Sequence, residues 1–182
     1  EKDEEKRSTS LWKNKAAIAL LVFGGLQSLL FYTGMTWLPT MASQAGLSSE
    51  VAGILASIYS LISLPFSLTI PTLTTNLSSK NRKIMLAIVS ACAIVGTGML
   101  LFQTSSFAYW LTVNILIGIA VSALFPYLLV TFSMKSHTPS QTAQLSGMVQ
   151  SGGYFLAAFG PTLFGFSFNL FGSWTVAALC LF

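Results

Sequence analysis

Four long stretches of the chain, residues 16–49, 51–79, 84–134 and 136–182, carry no Asp, Glu, Lys or Arg. A helix that crosses a bilayer needs about 20 predominantly apolar residues. The first two stretches fit one such helix each. The last two are long enough for two, and each contains a polar break where one is needed. The pattern therefore predicts an all-α, polytopic transmembrane bundle with spans at about 16–42, 50–76, 84–102, 107–133 and 139–170, and a sixth beginning at 174–182. Nine helical residues rise about 13.5 Å against a hydrocarbon core of about 30 Å, so the sixth span is expected to be truncated. Together with Glu1 in the place of an initiator Met, this gives the expectation of a fragment.

Local signals place the boundaries. Trp12, Lys13 and Lys15 suit an interfacial anchor before span 1, which is expected to end near Trp37-Leu38-Pro39. Ser48 is the expected N-cap of span 2, with Glu50 facing the helix dipole in the first turn. Polar turns are expected at 77–83 and 103–106, and Tyr109 and Trp110 read as interfacial belt residues of span 4. Thr138-Pro139-Ser140-Gln141 reads as a capping box after a loop at 134–141, and Gly172-Ser173 turns the chain into span 6.

Composition agrees. Hydrophobic residues make up 53% of the 182 and charged residues 8%, with mean hydropathy +0.72, whereas a soluble domain carries about 25% charged residues. The net charge of +4 does not point to nucleic acid, because the basic residues sit at the ends of apolar runs. All nine Lys and Arg fall on one side when the connections are numbered alternately. The positive-inside rule makes that side cytoplasmic, including residues 1–15, and the expected location is the cytoplasmic membrane. Residues 1–13 are not expected to be a signal peptide, because acidic residues dominate their start and the apolar run that follows has no small-residue cleavage pattern. Cys92 and Cys180 lie in apolar spans and read as small core residues, so neither zinc nor a disulfide is implied. His137 reads as a solvated loop residue.

A faint internal repeat is visible. Gly53-x-x-x-Ser57 with Pro65 beyond in span 2 echoes Gly147-x-x-x-Ser151 with Pro161 beyond in span 5. Gly25 leading to Phe31-Tyr32 in span 1 echoes Gly118 leading to Phe125-Pro126-Tyr127 in span 4. Three spans followed by three similar spans of opposite topology mark an inverted-repeat transporter half.

The span interiors hold no ionisable carboxylate, Lys or Arg, so candidate chemistry rests on neutral groups. Span 1 carries Ser28, Tyr32 and Thr36 on one face with Gln27 beside them. Span 4 carries Asn114, Gly118, Ser122 and Phe125, and span 5 carries Gln150 and Tyr154 one turn apart, beside Gly152-Gly153. A buried amide in hydrocarbon must face protein or water. Each stripe is open to two readings, interhelical packing or the wall of a solute cavity. On the second reading the substrate-binding candidates are Gln27, Tyr32, Asn114, Gln150 and Tyr154. No cofactor, metal or catalytic set is indicated, so an enzyme is not expected.

The strings GLQSLLFYTGMTWLP (Gly25 to Pro39) and LSGMVQSGGYFLAAFGP (Leu145 to Pro161) resemble the cyanate permease / nitroimidazole transporter branch of the major facilitator superfamily, in the order of its C-terminal six-helix half. The resemblance implies a secondary active transporter for a small polar or anionic solute, working by alternating access in a lipid bilayer with a missing N-terminal half as partner. It implies that spans 1 and 4 line the central cavity, that spans 2 and 5 pack against the other half, and that span 3 is peripheral. The turn 76–83 lies where that superfamily often has an acidic-Arg-x-Gly-Arg motif, of which only the basic end is present. The alternatives are a non-transporting scaffold bundle and a half-size subunit that acts as a dimer.

Overall fold

A computed structural model describes residues 11–179 of the protein. Among them the regular structure is helical: α1 (Lys15–Gln44), α2 (Ser49–Leu61), α3 (Ser63–Asn76), α4 (Ser79–Met99), α5 (Phe107–Lys135), α6 (Pro139–Phe171) and α7 (Trp174–Leu179). By length and composition α1, the α2–α3 pair, α4, α5 and α6 can each cross a membrane. The α7 helix is the start of the expected sixth span. The first ten residues of the expected cytoplasmic loop, and Cys180, lie outside the described residues.

Helix starts follow from side-chain caps. Asn14, Ser48, Ser78, Ser106 and Thr138 each accept a first-turn amide, satisfying donors that a helix start leaves open. The Thr138 hydroxyl accepts from the Gln141 amide at 3.2 Å. The Gln141 side chain, however, accepts from the His137 amide instead of Thr138, one residue short of a full capping box. Gly172, at φ 63°, closes α6 in the left-handed conformation glycine tolerates.

Four sequence expectations need correction or refinement. Span 1 does not end at Pro39; α1 runs through it to Gln44, since in a spanning helix one missing N–H leaves the remaining ladder intact. Span 2 is one candidate membrane span, Ser49–Asn76, but not an uninterrupted ladder. It is interrupted at the single residue Ile62, which keeps helical dihedrals of φ −57° and ψ −28°, because Pro65 has no N–H for the Leu61 carbonyl. The basic turn at 77–83 is mostly helix: Ser78 caps the Asn81 amide at 3.3 Å, so Lys80, Arg82 and Lys83 stand on the start of α4. Trp110 is not a belt residue. It is fully buried, and its indole N–H donates to the Thr104 carbonyl at 2.8 Å.

The α5 helix is the centre of the bundle, and its buried residues include Val113, Ile117, Val121 and Leu128. Two of the repeated glycines sit in close interhelical contacts. In the first half, Gly25 of span 1 packs on Gly153 and Leu156 of span 5. In the second, the equivalent Gly118 of span 4 packs on Tyr59 and Ile62 of span 2. In the other repeated pair, Gly53 and Gly147 both face open space, with nothing within 4 Å of a Cβ built on either.

The connections sort to two ends. At one end the starts of α1 and α6 and the end of α5 meet around a hollow bordered by Asn14, Lys135 and Gln141, and Arg82 of α4 touches Met134 of α5. At the other end Gly46 lies beside Ser105, and Trp174 donates to the Gln44 side chain at 2.8 Å. The described cations therefore gather at the first end, while Glu50 starts α2 at the second.

A candidate solute cavity

A hollow of about 260 Å³ opens between α1, α3, α5 and α6, close to the midpoints of the long helices. From α1 it is bordered by Gln27, Ser28, Phe31 and Tyr32, and from α6 by Tyr154. Ser63 and Ser67 come from α3, and Val121, Ser122, Phe125 and Pro126 from α5. The walls thus mix amide, hydroxyl and ring, and carry no formal charge.

Gln27 is the most constrained polar group there, with 6% of its surface exposed. Its Nε2 donates to the Ser28 hydroxyl at 3.0 Å, while its Oε1 is buried with no partner. One serine hydroxyl can satisfy only one end of the amide, whichever way the amide is turned. An unsatisfied buried polar atom costs about 1–3 kcal/mol, so this oxygen gains from a hydrogen-bond donor brought to it.

The rings form a connected wall. Tyr32 stands edge-on to Tyr154, with centroids 6.3 Å apart, and edge-on to Phe31 at 5.2 Å. Phe31 in turn stacks on Tyr59, whose hydroxyl donates to the Phe31 carbonyl at 3.3 Å. Gly34 leaves the notch that admits that hydroxyl, 3.0 Å from where a Cβ would stand. Ser63 and Ser67, just after the α2–α3 junction, border the same hollow. Their hydroxyls donate to carbonyls of their own helix turn, Ser60 and Leu64, at 2.7 and 2.9 Å, leaving oxygen lone pairs as acceptors.

The expected site residues separate into three groups. Gln27, Tyr32 and Tyr154 border the hollow. Gln150 stands behind Tyr154, at the limit of hydrogen bonding, 3.5 Å from its hydroxyl, and donates to Ser146. Asn114 is not brought to the hollow. It is 1% exposed in the bundle core, and its Nδ2 returns to the Trp110 carbonyl at 2.8 Å, one turn back on its own helix. Thr36 likewise spends its hydroxyl on the Tyr32 carbonyl. Ser63 and Ser67 were not expected. Their signal is Ser60-x-x-Ser63-x-x-x-Ser67 on one helical face, straddling Pro65.

Gly152 and Gly160 of α6 sit in close packing. A Cβ on Gly152 would stand 2.8 Å from Leu21, and one on Gly160 would stand 2.6 Å from the Thr33 hydroxyl.

The sequence pattern of the Major Facilitator Superfamily matches residues 2–180. The chain is 34% identical, over 96% of its length and 43% of the relative's, to an uncharacterized transporter of Bacillus subtilis (strain 168), YycB. It is 31% identical, over 91% of its length and 41% of the relative's, to the 2-nitroimidazole transporter of Escherichia coli (strain K12). The chain thus spans less than half the length of these relatives. No solved structure matches it at a significant level.

Proposed function

The chain belongs to the Major Facilitator Superfamily, and we propose that it is the C-terminal half of a secondary active transporter, not an enzyme, that moves a small polar solute across the cytoplasmic membrane by alternating access. The observation that carries this reading is the uncharged hollow near the helix midpoints, with the half-satisfied amide of Gln27 in its wall. Midplane sites between repeats are where such transporters bind their cargo. Spans 1 and 4 of the repeat both contribute, through α1 and α5. Gln150 acts through Tyr154, fixing the ring that closes the α6 side.

The basic end of the bundle is the cytoplasmic end on this reading. The solute is small and carries both donors and acceptors. An anion would need a cation from the other half, because the hollow in this half has none. The relative named for 2-nitroimidazole makes that compound the first candidate.

The test is uptake into proteoliposomes by the full-length protein, with and without a pH gradient, across a panel of small planar polar compounds and small anions that includes 2-nitroimidazole. Saturable uptake of one compound class above empty liposomes is the expected result. No uptake from any member of the panel would favour the scaffold bundle.

A further inference from the structure

At the basic end, a second hollow of about 270 Å³ lies between the start of α4 and the end of α5. Three cations border it, Arg82, Lys83 and Lys135, together with the hydroxyl side chains of Ser79, Tyr127 and Thr131. We propose that this hollow binds a phosphate-bearing anion, and that the anion is the headgroup of an acidic lipid.

Like charges held together raise the local potential unless an anion answers them. Among the described residues the carboxylate is that of Glu50, at the opposite end of the bundle. The guanidinium of Arg82 makes its hydrogen bond, among the described residues, from Nη1 to the Met134 sulfur at 3.3 Å. A thioether is a weak acceptor, and a guanidinium offers five donors in a fork suited to phosphate oxygens. Ser79 is the first residue of α4, a 21-residue helix whose positive dipole end adds to the same field. The neighbourhood favours a lipid over a free anion. Ile84 and Ile88, directly beyond the cations on α4, are 49% and 60% exposed, a surface for acyl chains beside a socket for the headgroup. Basic hollows between helices at a membrane surface hold lipid phosphates in this way.

The test uses the full-length protein in neutral detergent, with fluorescent phosphatidylglycerol as probe. Saturable binding is expected, displaced by unlabelled phosphatidylglycerol and not by phosphatidylcholine. Lys83→Gln with Lys135→Gln is expected to weaken it roughly 30-fold, since each surface cation contributes about fivefold. Because these lysines also orient helices, a salt titration of the unaltered protein is the second measurement, and binding is expected to fall steeply as ionic strength rises. Displacement by inorganic phosphate at millimolar concentration would retain the site but make its source a soluble phosphate. Equal competition by phosphatidylcholine, or salt-insensitive binding, would overturn the proposal.

Discussion

Gly153 of α6 meets Gly25 of α1 backbone to backbone: a Cβ on Gly153 would stand 3.2 Å from the Gly25 nitrogen. The contact belongs to a seam that continues through Gly160 against Leu29 and Thr33 and through Gly165 against Trp37. Residue numbers rise together along both helices, so the two run parallel. This seam holds Tyr32 and Tyr154 edge-on to one another in the wall of the hollow. Gly153→Val is expected to lower stability by about 1–3 kcal/mol through overpacking. Gly147→Ala, which enters open space, is expected to leave it unchanged or slightly raised. Thermal unfolding in detergent compares the two, and equal effects would contradict the seam.

Trp174 ties the start of span six to the bundle. It is 3% exposed, stacks on Phe168 with centroids 4.1 Å apart, and donates to the Gln44 side chain. Trp174→Ala is expected to cost about 3–5 kcal/mol, and Trp174→Phe only about 1 kcal/mol for the lost hydrogen bond. Unfolding midpoints of the two variants separate packing from hydrogen bonding.

The helices were legible because about twenty uncharged apolar residues in a row have few other fates, and 5 helices long and apolar enough to cross a membrane lie near the expected spans. The interruption at Ile62 was not, although Pro65 announced it. Pro39, Pro71, Pro126 and Pro161 stay inside helices, so a proline alone does not say whether a spanning helix breaks. Asn114 lies away from the hollow for a related reason. A stripe on a helix shows which residues share a face and not what that face meets, and an amide can return to its own backbone. Gln27 and Tyr154 were legible as a polar residue and a ring on faces that do meet the hollow. Trp110 looked interfacial by its position in the sequence, yet the Thr104 carbonyl gives its N–H a partner inside the fold.

Orientation is open to direct labelling. Single cysteines at Ser79, Ser105, Ser136 and Ser173, in a background without Cys92 and Cys180, report which end faces out. An impermeant thiol reagent on intact cells is expected to reach positions 105 and 173 only. Labelling at 79 without labelling at 105 would reverse the topology.

The chain expressed alone is expected to insert but not transport. The hollow is not closed within this chain: Tyr32 and Tyr154 in its wall are 43% and 40% exposed. Co-expression with an N-terminal half is expected to restore uptake. Robust uptake by the chain alone would favour a half-size subunit.

The most direct measurement is the concentration dependence of uptake by Gln27→Leu in the full-length protein, normalised to its amount in the membrane, with the best-transported compound of the panel. Losing a solute hydrogen bond of about 1–3 kcal/mol is expected to raise the half-saturation constant roughly 5- to 100-fold. Gln150→Leu, acting through Tyr154, is expected to raise it less. Asn114→Leu is expected to change the amount of folded protein and leave that constant alone. An interhelical hydrogen bond in a membrane is worth only about 0.6 kcal/mol on average. A Gln27→Leu protein with unaltered kinetics would therefore assign this amide to packing and contradict the cavity as the solute site.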